Sequence, residues 1–127
     1  MSTAMLEHVN LTVTDPAATA SMLCELFDWQ IRWQGTAKNG GFTVHVGAQD
    51  NYLAVYTHPQ SKAGADDSYT VAGGLNHIGV LVEDFETAAQ RVRDHGFETY
   101  NFGEYEPGRR FYFRDSDGIE FEVVSYD

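Results

Sequence analysis

The sequence predicts an α+β fold made of two tandem copies of one strand–helix–three-strand module, and three observations carry this. The stretch from Leu75 to Asp84 (LNHIGVLVED) repeats the stretch from Leu6 to Asp15 (LEHVNLTVTD), with Leu, His, Val and Asp at matched positions and one offset of 69 residues. Looking for repeats first guards against misreading a whole fold. Behind each copy comes the same order, one helical periodicity and then three alternating runs. Between the copies, residues 59–74 change to Ser, Gly, Asp, Ala and Thr with little periodicity, which reads as a linker.

The first module spans about residues 5–58. Residues 5–14 alternate, with Val9, Leu11 and Val13 on one face and Leu6, His8, Asn10 and Thr12 on the other, as in a strand with two different sides. Asp15-Pro16 supplies an N-cap followed by proline at the first helical position. Ala20, Leu23, Leu26 and Phe27 form the apolar stripe of that helix, and Asp28 ends it where glycine would be easier. Three strands follow: Gln30 to Gln34, with Trp29, Ile31 and Trp33 on one face; Phe42 to Val46; and Tyr52 to His58.

The linker covers about residues 59–73, and the second module about 74–127. Its opening strand runs into Asp84, which caps a helix carrying Phe85, Ala88, Ala89 and Val92 and ending at Gly96. Strands are expected at Phe97 to Phe102, Arg109 to Arg114 and Ile119 to Tyr126, with a turn at Tyr105-Glu106-Pro107-Gly108. In the last strand Glu120, Glu122 and Val124 share one side, opposite Ile119, Phe121 and Val123.

Composition narrows the function. At 127 residues the chain reads as a single domain of two modules sharing a core. Its net charge of −11 argues against nucleic acid and anionic membrane as partners. No apolar run approaches spanning length, and Cys24 as the single cysteine excludes an internal disulfide. The expectation is a cytoplasmic protein acting on a small molecule. The apolar residues of both opening strands would lie under their helices, which turns His8 and His77 to the other face. Two histidines with Glu122 make a facial set for a divalent transition metal, leaving positions for substrate and water. A histidine on a polar strand face is ordinarily just a hydrogen-bonded side chain. The matched repeat positions set this pair apart.

The duplicated order, the two histidine motifs and the run DSDGIEFE ending at Glu122 together resemble the vicinal oxygen chelate superfamily. That superfamily includes glyoxalase I, bleomycin-resistance proteins, fosfomycin-resistance thiol transferases and extradiol dioxygenases. The resemblance covers Met5 to Tyr126. It implies paired modules forming a cupped mixed sheet, a homodimer, and a divalent ion (Fe, Mn, Ni, Co or Zn) held by His8, His77 and Glu122. It implies a lyase, isomerase, transferase or dioxygenase that chelates vicinal oxygens of its substrate. Each well-known chemistry of the family meets a departure here. The fourth-strand glutamate of glyoxalase I falls at Ala54, leaving His58, and after it His45, as substitute base. Tyr112 keeps the family's ten-residue spacing to Glu122, but the histidine that extradiol dioxygenases place shortly before it is missing. Fosfomycin transferases need basic residues, and Lys38 and Lys62 are the only lysines. Trp33, Tyr52, Tyr56, Tyr100 and Arg109 are the candidate substrate contacts, with Tyr112 and His58 the candidate catalytic groups. The alternative is a metal-free, bleomycin-resistance-like binding protein whose aromatics stack on a cationic drug.

Overall fold

A computed structural model describes residues 2–62, 68–105 and 107–127 of the chain. Part of the linker and Glu106 of the expected turn lie outside the described residues. The chain divides into two compact units, Met1–Lys62 and Ala63–Asp127, so the boundary falls inside the expected linker.

In the first unit β1 (His8–Thr12) leads into α1 (Pro16–Phe27), then β2 (Gln30–Thr36), β3 (Phe42–Gly47) and β4 (Tyr52–Thr57). The sheet order is β1-β4-β3-β2, with β1 parallel to β4 and the other pairs antiparallel. Asp15 caps α1 as expected: its carboxylate accepts from the Ala18 N–H, and Pro16 takes the first turn. Asp28 closes the helix in the left-handed region at φ 58°, its N–H donating to the Cys24 carbonyl at 3.0 Å. Ala20, Leu23 and Leu26 are buried with Val44, Val46 and Val55, which places the core between helix and sheet. Phe27 is only half-buried and packs on Trp29 instead.

The second unit repeats the plan with β5 (Ile78–Leu81), α2 (Phe85–Asp94), β6 (Tyr100–Tyr105), β7 (Gly108–Arg114) and β8 (Glu120–Ser125). Its order, β5-β8-β7-β6, is that of the first sheet. Asp84 caps α2 through the Thr87 N–H at 3.0 Å, and Gly96 follows the helix at φ +99°. All four apolar residues expected on α2 are buried, together with Phe111, Phe113, Phe121 and Val123. Phe113 stacks on Phe121 at 5.1 Å and on Phe97 at 5.7 Å, so Phe97 serves the core from outside the strand expected to contain it.

The strand faces depart from strict alternation at β2 and β6. Ile31 pairs with Val46 while Trp33 pairs with His45, so two steps on β2 oppose one on β3. This bulge separates Ile31 and Trp33, expected on one side, and puts Trp33 level with His45. In β6 the register slips between Tyr100 and Gly103, where Asn101 adopts φ 52°. Bulges of this kind leave no mark in an apolar–polar pattern, because the extra residue can be of any type.

Candidate functional site

Ladder register aligns the two units residue by residue. In the first, Asn10 pairs with Ala54, and Ala54 with His45, which pairs with Trp33. In the second, Gly79 pairs with Glu122, and Glu122 with Tyr112, which pairs with Tyr100. Ala54 is thus the counterpart of Glu122, His45 of Tyr112, and Trp33 of Tyr100. The position that carries a carboxylate in one unit carries a buried methyl group in the other.

In the second unit His77 stands immediately before β5. Its Nε2 lies 2.9 Å from Glu122 Oε1, and its Nδ1 lies 3.3 Å from the Tyr69 hydroxyl. Tyr112 meets the imidazole edge-on at 5.7 Å and stacks against Tyr100 at 6.2 Å. Arg110 Nη1 holds the other Glu122 oxygen at 3.0 Å. Beside these lies a cleft of about 650 Å³ lined by Tyr69, Tyr100, Tyr112, Arg114 and Glu120. Glu120 is 6% exposed and accepts from two phenols, Tyr69 on one oxygen and Tyr100 on the other. Burial alone would push its carboxyl up, but hydrogen bonds from Tyr100 and Tyr69, aided by Arg114 and His77, outweigh it and hold the carboxyl low. The phenols move the opposite way. Tyr69 is pushed up to about 12, chiefly by its bond to Glu120. Tyr100 reaches about 12 through burial and then that bond.

In the first unit four rings follow one another across the sheet. Trp33 tilts on His45 at 5.2 Å, His45 stacks on Tyr52 at 4.6 Å, and Tyr52 stacks on His8 at 5.1 Å. Arg32 covers Tyr52, its guanidinium carbon 4.7 Å from the ring centre. His8 Nδ1 lies 2.8 Å from Glu7 Oε1, and that bond holds the Glu7 carboxyl low. His45 is shifted down by burial first and by the nearby His8, which favours the neutral imidazole. It lines a cleft of about 440 Å³ with Asn10, Thr12, Thr43 and Tyr56.

Two expected residues stand elsewhere. His58 lies in the turn after β4, where its Nδ1 accepts from the Gln60 N–H at 3.0 Å. Its proton therefore sits on Nε2, making it a donor as placed rather than a base. Arg109 faces α2: it binds Glu86, reaches Glu104 at 3.3 Å and covers Phe85 at 4.2 Å. Strand alternation gives the Glu122 side of β7 to Arg110, Tyr112 and Arg114. Three participants were missed from the sequence. Glu120 and Arg110 carry a signal there, since each alternates onto the side of Glu122 or Tyr112. Tyr69 sits in the aperiodic linker and carries none.

The histidine chemistry suits a divalent ion. Both His8 and His77 present Nδ1 to an oxygen, Glu7 in one case and Tyr69 in the other. With the proton there, Nε2 carries the lone pair, as in metal-ligating histidines oriented by an oxygen partner. A lone-pair nitrogen 2.9 Å from a carboxylate oxygen calls for a proton or a cation between them. Among the described residues no cluster of three or more His, Cys, Asp or Glu side chains is assembled for a metal. No helix among them is long and apolar enough to cross a membrane.

Comparison with known proteins agrees with this architecture. No curated protein matches the chain in sequence. A solved glyoxylase/bleomycin resistance protein/dioxygenase domain from a Frankia species is 22% identical, with a TM-score of 0.84 over 99% of this chain and 100% of that one. Fosfomycin resistance protein FosX from Mesorhizobium loti is 24% identical, with a TM-score of 0.74 over 97% and 92%. A mutant FosX from Listeria monocytogenes, complexed with Mn(II) and dihydroxypropylphosphonic acid, is 19% identical with a TM-score of 0.75 over 97% and 93%. At such identities the likeness shows the fold alone. The family model, however, matches residues 5–123, and the chain therefore belongs to the Glyoxalase/Bleomycin resistance protein/Dioxygenase superfamily.

Proposed function

We propose that this protein is a divalent-metal-dependent enzyme acting on a small, oxygen-rich organic molecule through two neighbouring oxygens. The observation that carries the proposal is the approach of His77 Nε2 to Glu122 Oε1 at 2.9 Å, with Nδ1 engaged by Tyr69. His77 and Glu122 supply two donors. His8 is the third that the family resemblance gives, from the same chain or from a second copy in a homodimer. The Mn(II) complex of the Listeria FosX supports a metal of this class. When bound, such a cation neutralises negative charge developing on chelated oxygens.

The chain's own residues supply the rest. Arg110 holds one Glu122 oxygen and leaves the other toward His77. Tyr112, edge-on to His77, offers a hydroxyl to substrate. A proton acceptor is still needed, because Ala54 stands where the first unit would carry a carboxylate. His58 is one candidate, but His45, directly opposite Ala54 and shifted toward its neutral form, suits that task better. Trp33, Tyr52, Tyr56 and Tyr100 offer flat surfaces to an organic substrate. A cytoplasmic setting accords with the single cysteine.

The test is metal analysis of tag-free protein prepared without chelator. About one divalent ion per chain is expected, lost in His77→Ala and in Glu122→Ala. Absence of a stoichiometric ion, with His77→Ala leaving metal affinity unchanged, refutes the proposal. One observation favours a second reading, metal-free capture of a planar cationic drug. The rings from Trp33 to His8 form a continuous row, and Trp33 is 52% exposed instead of serving the core. Tight binding of such a compound by metal-free protein, without turnover, would identify that role.

A further inference from the structure

His8 and His77 occupy matched positions in the sequence, yet the backbone does not hold them alike. His8 is inside β1 and paired with Tyr52 in the ladder. His77 precedes β5, whose pairing with β8 begins at Ile78. Side-chain contacts must therefore supply the orientation that pairing supplies to His8. They come from the segment before the strand. Ser68 donates to the Leu75 carbonyl, and the Gly74 N–H donates to the Val71 carbonyl at 3.0 Å. The closure is tight: a Cβ at Gly74 would stand 2.9 Å from that of Ser68. It brings Tyr69 alongside His77, ring centres 6.3 Å apart and planes inclined by 27°.

The Tyr69 hydroxyl gives its proton to Glu120 Oε1. Its oxygen is then left to accept, and the group facing it is His77 Nδ1. Glu120 is itself fixed from the other side, by the Tyr100 hydroxyl and by Arg114 Nη2 at 3.5 Å. A carboxylate this buried is retained only where its hydrogen bonds are made. Alternation along β8 sets it two residues before Glu122 on the same face.

We propose that Glu120, acting through the Tyr69 hydroxyl, is a positioning residue for His77: it offers Nδ1 an acceptor and so holds the ring with Nε2 toward Glu122. The proposal rests on the reading of His77 as a metal ligand, and the experiment separates the two. Full-length wild type, Tyr69→Phe, Glu120→Gln, Glu120→Ala and His77→Ala are titrated with Co(II), by calorimetry and by visible absorption. Histidine ¹⁵N spectra are recorded on the metal-free proteins at alkaline pH, where imidazoles are neutral.

In wild type Tyr69 draws the His77 proton to Nδ1 against the pull of Glu122 on Nε2, so both tautomers are expected. Tyr69→Phe removes one hydrogen bond to the buried Glu120, so metal-free thermal stability falls and is measured alongside. Its His77 signals shift toward the Nε2–H tautomer, and Co(II) affinity falls roughly 10- to 100-fold, the usual effect of losing an orienting partner. Glu120→Gln keeps an acceptor and loses less affinity than Glu120→Ala. The proposal is overturned if Tyr69→Phe leaves both the His77 signals and the Co(II) affinity unchanged. If His77→Ala still abolishes binding in that case, the metal reading stands alone. If wild type binds no Co(II) but Tyr69→Phe alters the His77 tautomer, the positioning is upheld and the metal reading fails.

Discussion

Arg110 and Glu122 offer the most direct test of how the second unit holds its carboxylate. They sit on adjacent antiparallel strands, Arg110 opposite Val124 and Glu122 opposite Tyr112, so they are diagonal neighbours on one face. Their side chains are only 16% and 13% exposed, and Nη1 is 3.0 Å from Oε2. At an effective dielectric of 20, two unit charges at that distance attract by roughly 5 kcal/mol. Desolvation of both groups offsets much of this, and a charge-assisted hydrogen bond leaves about 1.5–3 kcal/mol. Arg110→Met keeps most of the apolar stem and removes the charge, while Glu122→Gln keeps the shape and removes the opposite charge. Urea unfolding of both single variants and the double variant, at neutral pH with chelator present, closes a cycle in which each group's own desolvation cancels. A coupling of about 2 kcal/mol is expected, little changed by added salt because the pair is screened from solvent ions. Exposed pairs give roughly 0.2–1 kcal/mol. A coupling at or below about 0.5 kcal/mol would show that Arg110 does not hold Glu122 in solution, and the single-oxygen role assigned to Glu122 would go with it.

Two further outcomes follow from the same unit. Phe113 is fully buried between Phe97 and Phe121, so Phe113→Ala should destabilise by about 3–5 kcal/mol in urea unfolding; a loss below about 1 kcal/mol would mean the three rings do not pack as described. Tyr100 titrates near 12 in the fold against about 10 in an unfolded chain. Between those values the native state binds more protons, so its contribution is whole below about pH 10 and lost as pH rises through 12. Tyr100→Phe should flatten the alkaline fall in unfolding midpoint, and a fall parallel to that of wild type would exclude the Tyr100–Glu120 bond as its source.

The sequence reads most clearly where one residue type must recur at a fixed interval. Asp15 and Asp84 declared both helix starts, because an N-cap needs a short acceptor at one position. The matched LEHV and LNHI motifs declared the duplication. Strand faces were legible until a bulge intervened: Ile31 and Trp33 have the spacing of one face, and only the extra residue in β2 divides them. Arg109 and Arg110 differ by a single step, and that step decides between α2 and the side of Glu122. Tyr69 was illegible, because its place depends on a turn closed by Ser68 and Gly74 and not on any period.

Register shows what the duplicated halves have done with a shared plan. Where the second unit presents Glu122, Tyr112 and Tyr100, the first presents Ala54, His45 and Trp33. The second unit thereby gathers carboxylates, phenols and two arginines around one imidazole. The first has Ala54 at the matched position, with Trp33, His45, Tyr52 and His8 in ring contact across the sheet. His45, opposite Ala54 in the ladder, is shifted below the ordinary histidine range by burial first and by the neighbouring His8 second. At this one ladder position, then, the shared plan carries a charged side chain in one unit and an apolar one in the other.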